Sequence, residues 1–147
     1  MITTCTLTAE QIPLLFPIGH AFSAEAGRDP FNEEVFSRTW ETMLKLGFAR
    51  VYVLMDVNTV VGALGAMFVP DPFSGVLTAA ENFWYVLPEH RKSGVGIALL
   101  NEFEEDAKAA GCKQILMVHF AQMGARLQAL YESRGYVLLE QTFRRGI

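Results

Sequence analysis

The sequence is short of the residues that build metal centres and disulfide frameworks. Its two cysteines, Cys5 and Cys112, lie far apart with no CxxC pairing, which excludes a thiol redox pair and a zinc knuckle. Lone cysteines of this kind read as small buried hydrophobes. Three histidines, His20, His90 and His119, lack metal-ligand spacing, so no metal is expected. Positive charge is also scarce: 12 lysines and arginines face 16 aspartates and glutamates, for a formal net charge of −4 and a pI near 5.3. Neutralising phosphates needs a basic face, so nucleic acid is not an expected partner. No apolar run approaches the roughly 20 residues that span a bilayer. No basic N-terminal region precedes a hydrophobic stretch either. The expectation is a soluble, cytoplasmic protein with no membrane partner. Only 19% of residues are charged and 51% are hydrophobic, which excludes disorder and supplies a core. A chain of 147 residues without repeats or linkers predicts one domain, residues 1–147.

What is present reads as alternating elements. Thr3 to Leu7 suggests a first strand, and Thr8 followed by Ala9, Glu10 and Gln11 starts a helix with a capping box. That helix is expected to run to about Ala26, kinked where Pro13 and Pro17 remove amide donors. Asn32 can cap a second helix with apolar positions Val35, Phe36, Trp40, Met43 and Leu44, stopped at Gly47. Arg50 to Met55 and Val60 to Val69 flank a turn and predict an antiparallel hairpin. Pro70 to Gly75 is a loop, and Val76 to Val86 a further strand ended by Pro88. Gly94 to Ala110 has a clear helical stripe of Val95, Leu99, Leu100, Phe103 and Ala107. Gln114 to His119 reads as a buried strand, Ala125 to Arg134 as a helix, and Tyr136 to Arg145 as one or two closing strands. The order βααβββαβαβ, with hairpins and helical crossovers together, predicts an α/β fold of the α+β type. Its sheet is mixed, with helices on its faces, and not a doubly wound one.

The most informative stretch is Phe83 to Leu100, FWYVLPEHRKSGVGIALL. A strand passes through a proline-stopped loop and a glycine-containing turn into a helix. The amides at a helix start lack intrahelical partners, and glycines let an anion approach them. Glycine costs a helix about 1 kcal/mol, and close approach of a ligand supplies a reason for Gly94 and Gly96. Arg91 and Lys92 add positive charge, and Ser93 a hydroxyl donor and candidate cap. The competing reading is a basic turn before a surface helix. The position of the motif, between a strand and an amphipathic helix, favours an anion cradle.

Arg91-Lys92-Ser93-Gly94-Val95-Gly96 resembles the [QR]-x-x-G-x-[GA] loop of the GNAT superfamily of acetyl-CoA-dependent N-acetyltransferases, joined to Val86-Leu87-Pro88 at the end of the family's fourth strand. Leu130-Tyr131-Glu132-Ser133-Arg134-Gly135-Tyr136 is similar to the family's (L/F)-Y-x-x-x-G-(F/Y) segment, and the order of elements agrees along most of the chain. The resemblance implies a mixed, mostly antiparallel sheet of six to seven strands flanked by four helices. It implies acetyl-CoA as cosubstrate. Amides around Arg91, Lys92, Ser93, Gly94, Val95, Gly96 and Ile97 should hold the pyrophosphate. The backbone of Tyr85 and Val86 should pair with pantetheine like an added strand, where strands four and five splay. Tyr131 should protonate the departing thiolate; as a helix-stripe aromatic it also suits a core. The family's asparagine seven residues before this tyrosine is replaced by Gly124, with Gln122 a stand-in nearby. Late strands often form interfaces in this superfamily, which admits a homodimer.

Acyl transfer to an amine requires removal of an ammonium proton and stabilisation of an oxyanion, and alignment supplies much of the rate. The expected function is therefore N-acetyl transfer to a small-molecule or peptide amine by direct attack in a ternary complex. The alternative is a catalytically reduced acetyl-CoA-binding regulatory module. Family members often place a carboxylate near the position of Glu81, which makes it the candidate base, although a solvated strand-start carboxylate is the competing reading. Strict alternation sets Glu81 opposite Asn82, Trp84 and Val86, so a bulge or strand end is needed to face it to the acceptor. His119 is a second candidate. The first two helices and the loop Pro70 to Gly75 are expected to close the acceptor pocket. Glu25, Asp29, Glu33 and Glu34 would suit a cation, and Phe22, Phe31, Phe36, Phe73 and Trp84 an apolar wall.

Overall fold

Alternating apolar residues in the first two-thirds of the chain become a sheet buried on both faces. The structure is a computed structural model that describes residues 1–121 and 124–147; Gln122 lies outside the described residues. Strands β1 (Ile2–Thr6), β2 (Ala49–Asp56), β3 (Thr59–Pro70), β4 (Leu77–Val86) and β5 (Gln114–Leu116) lie in the spatial order β1-β2-β3-β4-β5. The first four pair antiparallel, and β5 joins β4 in parallel after a helical crossover. The α-helices are α1 (Phe16–Glu25), α2 (Glu33–Lys45), α3 (Gly96–Ala109) and α4 (Ala125–Ser133).

In β2, Val51 and Val53 pack toward α1 and α2, while Tyr52 and Leu54 pack toward α3. This is the period-two alternation of a strand covered on both faces. On the α1/α2 face Ile12, Leu15, Ile18, Phe22 and Trp40 meet Phe83 and Tyr85 of β4, with the Trp40 and Phe83 rings edge-to-face at 5.0 Å. On the other face Leu99, Leu100 and Phe103 of α3 are fully buried. At roughly 1.5–3 kcal/mol per buried large side chain, these two layers fix where β4 ends and α3 begins.

Three expectations change. Ala9–Leu15 is a 3-10 helix in which Thr8 N–H donates to Gln11 Oε1 at 2.9 Å, and α1 starts separately at Phe16. Pro17 then sits in the first turn of α1, where its missing donor costs nothing. A second 3-10 segment, Pro88–Ser93, precedes α3. Among the described residues the expected four helices thus become four α-helices and two 3-10 segments. The sheet has five strands among the described residues, not six or seven: Tyr136 to Ile147 forms no strand. Its apolar residues signal strand propensity, but β5 pairs through only three residues and offers no long edge to join. Val137, Leu138, Leu139 and Phe143 stay exposed. Finally, β5 ends at Leu116 instead of His119, because the chain there departs from β4 and the ladder is lost.

Candidate active site

The departure of β5 builds the site. Pairing between β4 and β5 covers Thr78↔Gln114, Ala79↔Ile115 and Ala80↔Leu116, whereas β4 continues to Val86. From Glu81 onward one edge of β4 is open. Gly62 faces Val86 across β3, and Leu87 N–H donates to Val61 O at 2.9 Å. Antiparallel alternation then turns the N–H and C=O of Val86 toward the open edge and those of Tyr85 toward β3. The expected strand-like pairing surface therefore lies at Val86, and, two residues earlier, at Trp84, which the sequence offered only as an apolar wall.

Next to that edge, Gly94 closes the 3-10 segment with φ 69° and ψ 14°, a left-handed conformation that glycine adopts without a Cβ penalty. Gly96 has a different reason: a Cβ there would stand 3.3 Å from Val86 Cγ2, so its bareness lets α3 press onto β4. No side chain caps α3. Gly94 N–H donates to Arg91 O and Ile97 N–H to Gly94 O, leaving the Val95 and Gly96 amides as the orphan donors of a helix start. Ser93 Oγ donates to His90 O at 3.4 Å and is not the cap. Lys92 and Arg91 are exposed at this turn.

The Arg91 side chain points elsewhere than the loop amides. Its Nε donates to Val86 O at 2.8 Å, and its two terminal nitrogens grip Glu25 of α1 at 2.7 and 2.6 Å. Its guanidinium lies 5.1 Å from the Tyr85 ring centre, and Tyr85 OH donates to Glu25 at 2.5 Å. The Arg91 hydrogen bonds hold the Glu25 carboxyl down at about 2. Burial, reinforced by the Glu25 carboxylate, pushes the Tyr85 hydroxyl up to about 12. Sequence pattern gave no sign of Glu25 as the anchor of Arg91, because its partner is far along the chain.

Glu81 and Tyr131 come together at Val118. Val118 N–H donates to Glu81 Oε2 at 3.2 Å, and Tyr131 OH donates to Val118 O at 3.0 Å. The bulge that Glu81 was expected to need is present: Gly65 faces Phe83 and Ala66 faces Glu81, leaving exposed Asn82 as the extra residue. Glu81 is 6% exposed, and burial pushes its carboxyl up to about 8, against the lowering pull of the Val118 amide and Arg28. Burial, then the Glu81 charge, raises the Tyr131 hydroxyl above its ordinary range. Glu81, Trp84, Val118 and Tyr131 share a small cavity.

A larger cavity of about 1520 Å³ opens beside Glu81. Phe22, Phe31 and Phe36 line it as expected, with Trp40, and Asp29 is its acidic wall residue from the candidate set. Glu33 instead bonds His20 at 2.8 Å, and Glu34 lies 3.7 Å from Arg38. The loop Pro70 to Gly75 does not line this cavity. Asp71 folds it on itself by accepting from the Phe73 and Ser74 amides, and Phe73 is fully exposed. Trp84 lies in the smaller cavity. His119 Nε2 contacts Gly124 O at 2.6 Å. Gly124 itself has φ 74° and ψ 179°, a conformation open essentially only to glycine, which explains why asparagine does not stand there. Among the described residues no cluster of metal-ligating side chains exists, and no helix is long and apolar enough to cross a membrane.

The model of the acetyltransferase (GNAT) family matches residues 19–136. No curated protein sequence matches the chain significantly. Among solved structures, a predicted acetyltransferase with acetyl-CoA from Clostridium acetobutylicum superposes with a TM-score of 0.81 at 16% identity, covering 99% of this chain and 96% of that one. An aminoglycoside acetyltransferase from an uncultured soil metagenomic sample gives 0.77 at 16% identity, covering 100% and 99%. The ribosomal-protein-alanine N-acetyltransferase of Brucella melitensis biovar Abortus 2308 gives 0.74 at 15% identity, covering 100% and 99%.

Proposed function

The chain belongs to the acetyltransferase (GNAT) family and is an acetyltransferase, and we propose that it moves the acetyl group of acetyl-CoA to a primary amine of a small molecule or peptide, by direct attack in a ternary complex. One observation carries this reading: the β4–β5 ladder stops at Ala80 while β4 runs on to Val86. That gap places an open backbone edge beside an uncapped helix start. Acetyl-CoA supplies the activated acyl group when bound. Val86 would pair with its pantetheine arm, and the turn Arg91, Lys92, Ser93, Gly94, Val95, Gly96 and Ile97 would hold its diphosphate, chiefly through the Val95 and Gly96 amides. Tyr85 supports this edge through its Glu25 contact.

Glu81 takes the ammonium proton, directly or through a water, because it is the buried carboxylate between the large cavity and the gap. Its raised pKa makes it a stronger base, whose acceptor form grows as pH rises toward about 8. Tyr131 stays protonated throughout that range and supplies the proton for the leaving sulfur. The acceptor amine enters the cavity under α1 and α2, where Phe22, Phe31, Phe36 and Trp40 contact its carbon frame. One domain, residues 1–147, would carry the whole reaction. Two free cysteines suit the reducing cytoplasm. The exposed apolar tail supports a homodimer, which sedimentation would register as a doubled mass.

Calorimetry with CoA and thioester consumption over an amine panel test the reading. The panel includes aminoglycosides and alanine peptides, chosen from the names of two of the similar structures above. CoA binding with turnover on at least one amine is expected. Absence of heat at millimolar CoA would overturn it.

A further inference from the structure

The large cavity beside Glu81 contains a cation that the chain leaves without an anion. Arg28 follows the end of α1, is exposed, and lines this cavity. Its guanidinium stands 5.2 Å from the centre of the Phe22 ring and 5.0 Å from that of Phe120. Those two rings meet edge-to-face at 5.6 Å, so the cation sits in an aromatic corner. Among the described residues no carboxylate forms an ion pair with it. Its acidic neighbours in sequence are turned elsewhere, Glu25 to Arg91 and Asp29 to Arg144.

Two features distinguish this group from a freely solvated charge. Its stem is fixed: Arg28 N–H donates to Ser23 O at 3.1 Å, and Ser23 Oγ donates to Asp29 O at 2.9 Å, which ties the turn back onto α1. A guanidinium held over aromatic faces also keeps its in-plane N–H fork free, and that fork matches the two oxygens of a carboxylate. Glu81 lines the same cavity, and the Arg28 charge is among the influences that pull its carboxyl down against burial. In the amine-acetylation reading, on which this inference rests, Glu81 receives the ammonium end of the acceptor. The cavity therefore offers one guest a proton-accepting carboxyl and a guanidinium, with Phe31, Phe36 and Trp40 beside them.

We infer that Arg28 is a specificity-determining residue that selects acceptors carrying a carboxylate as well as an amine, the chemistry of amino acids and of short peptides with a free C-terminus, over polycations. The guest's carboxylate supplies the anion that Arg28 lacks, and its amine is thereby turned toward Glu81.

The test compares L-phenylalanine and L-alanyl-L-phenylalanine, each against its C-terminal amide, as acceptors from acetyl-CoA. Each pair shares one carbon frame, and the pair that responds separates a free amino acid from a peptide end. At least one acid is expected to exceed its amide about tenfold to a hundredfold in kcat/KM, chiefly through KM, and to exceed the aminoglycosides. Arg28→Gln should bring that acid-to-amide ratio close to one, and Arg28→Lys should retain part of it. A merely structural role, or an altered charge beside Glu81, lowers acid and amide together and leaves the ratio intact. The parent ratio needs no variant if the substitutions prevent folding. If CoA binds but the parent shows no preference for either acid, prefers aminoglycosides, or acetylates none of the four, this inference fails alone. A ratio that survives Arg28→Gln overturns it equally. If the parent does not bind CoA, both this inference and the acetylation reading fail.

Discussion

The two halves of β4 do opposite work. Thr78 to Ala80 is paired on both sides, to β3 and to β5, and it behaves as ordinary sheet interior. Glu81 to Val86 is paired to β3 alone, and every candidate group gathers along its free side: Glu81, Tyr131, Trp84, Val86 and the turn that leads into α3. The closed half provides rigidity, and the open half provides unspent hydrogen-bonding capacity. The bulge at Asn82 marks the boundary between them. The candidate site is a place where sheet formation is left incomplete beside a rigid partner, which is how precise positioning and free valence coexist.

The contrast breaks most severely at its boundary. Glu81→Gln is expected to lower kcat by about 10²–10³-fold and to flatten a pH profile that in the parent climbs toward about 8 as the carboxyl ionises. An unaltered profile would remove Glu81 as the base. The same group shapes stability. Its folded pKa is raised, so its contribution is full below the ordinary value of 4.5 and is lost as pH rises through about 8. Melting temperatures of the parent should decline over that interval more steeply than those of Glu81→Gln. Next in size, Tyr131→Phe should reduce kcat about tenfold to a hundredfold with KM for acetyl-CoA little changed. A rise in KM alone would make Tyr131 a binding residue.

On the open side itself, Gly94→Val forces a branched side chain into φ 69°. It should cost about 1–2 kcal/mol of stability and weaken CoA binding more than tenfold. Denaturation and calorimetry measured separately distinguish the two effects, and intact affinity in a folded variant would sink the cradle. The smallest effect belongs to Glu25→Gln. This half-exposed ion pair with Arg91 is worth at most about 1 kcal/mol. Because the Glu25 pKa is lowered to about 2, its contribution is present above 4.5 and lost as pH falls through about 2. Acid unfolding should register the difference and melting at neutral pH should scarcely do so.

Local chemistry was legible in the sequence and long-range geometry was not. Gly94, Pro88 and the stripe Leu99, Leu100, Phe103 announce a strand, a turn and a helix through neighbours a few residues apart, and the structure has that succession. Asn32 signals its helix by the same short-range means, accepting from Val35 N–H at 2.9 Å. The meeting of Glu81 and Tyr131 at Val118 depends on where β5 leaves β4, which no spacing encodes. The Arg91–Glu25 clasp joins α1 to a turn across the whole first half of the chain. The tail was misread for a related reason. Alternation in Val137 to Phe143 states a preference for extended backbone, yet a strand exists only where a partner edge is long enough to receive it.

The position of Val118 has an evolutionary consequence. One residue's amide touches the proposed proton acceptor and its carbonyl touches the proposed proton donor, so in that reading the two are wired in series. A drift in this backbone detunes uptake and delivery at once, and neither can be adjusted without disturbing its counterpart. Diversification toward new amines would thereby be steered to α2, whose side chains lie outside the small cavity that Glu81, Val118 and Tyr131 share.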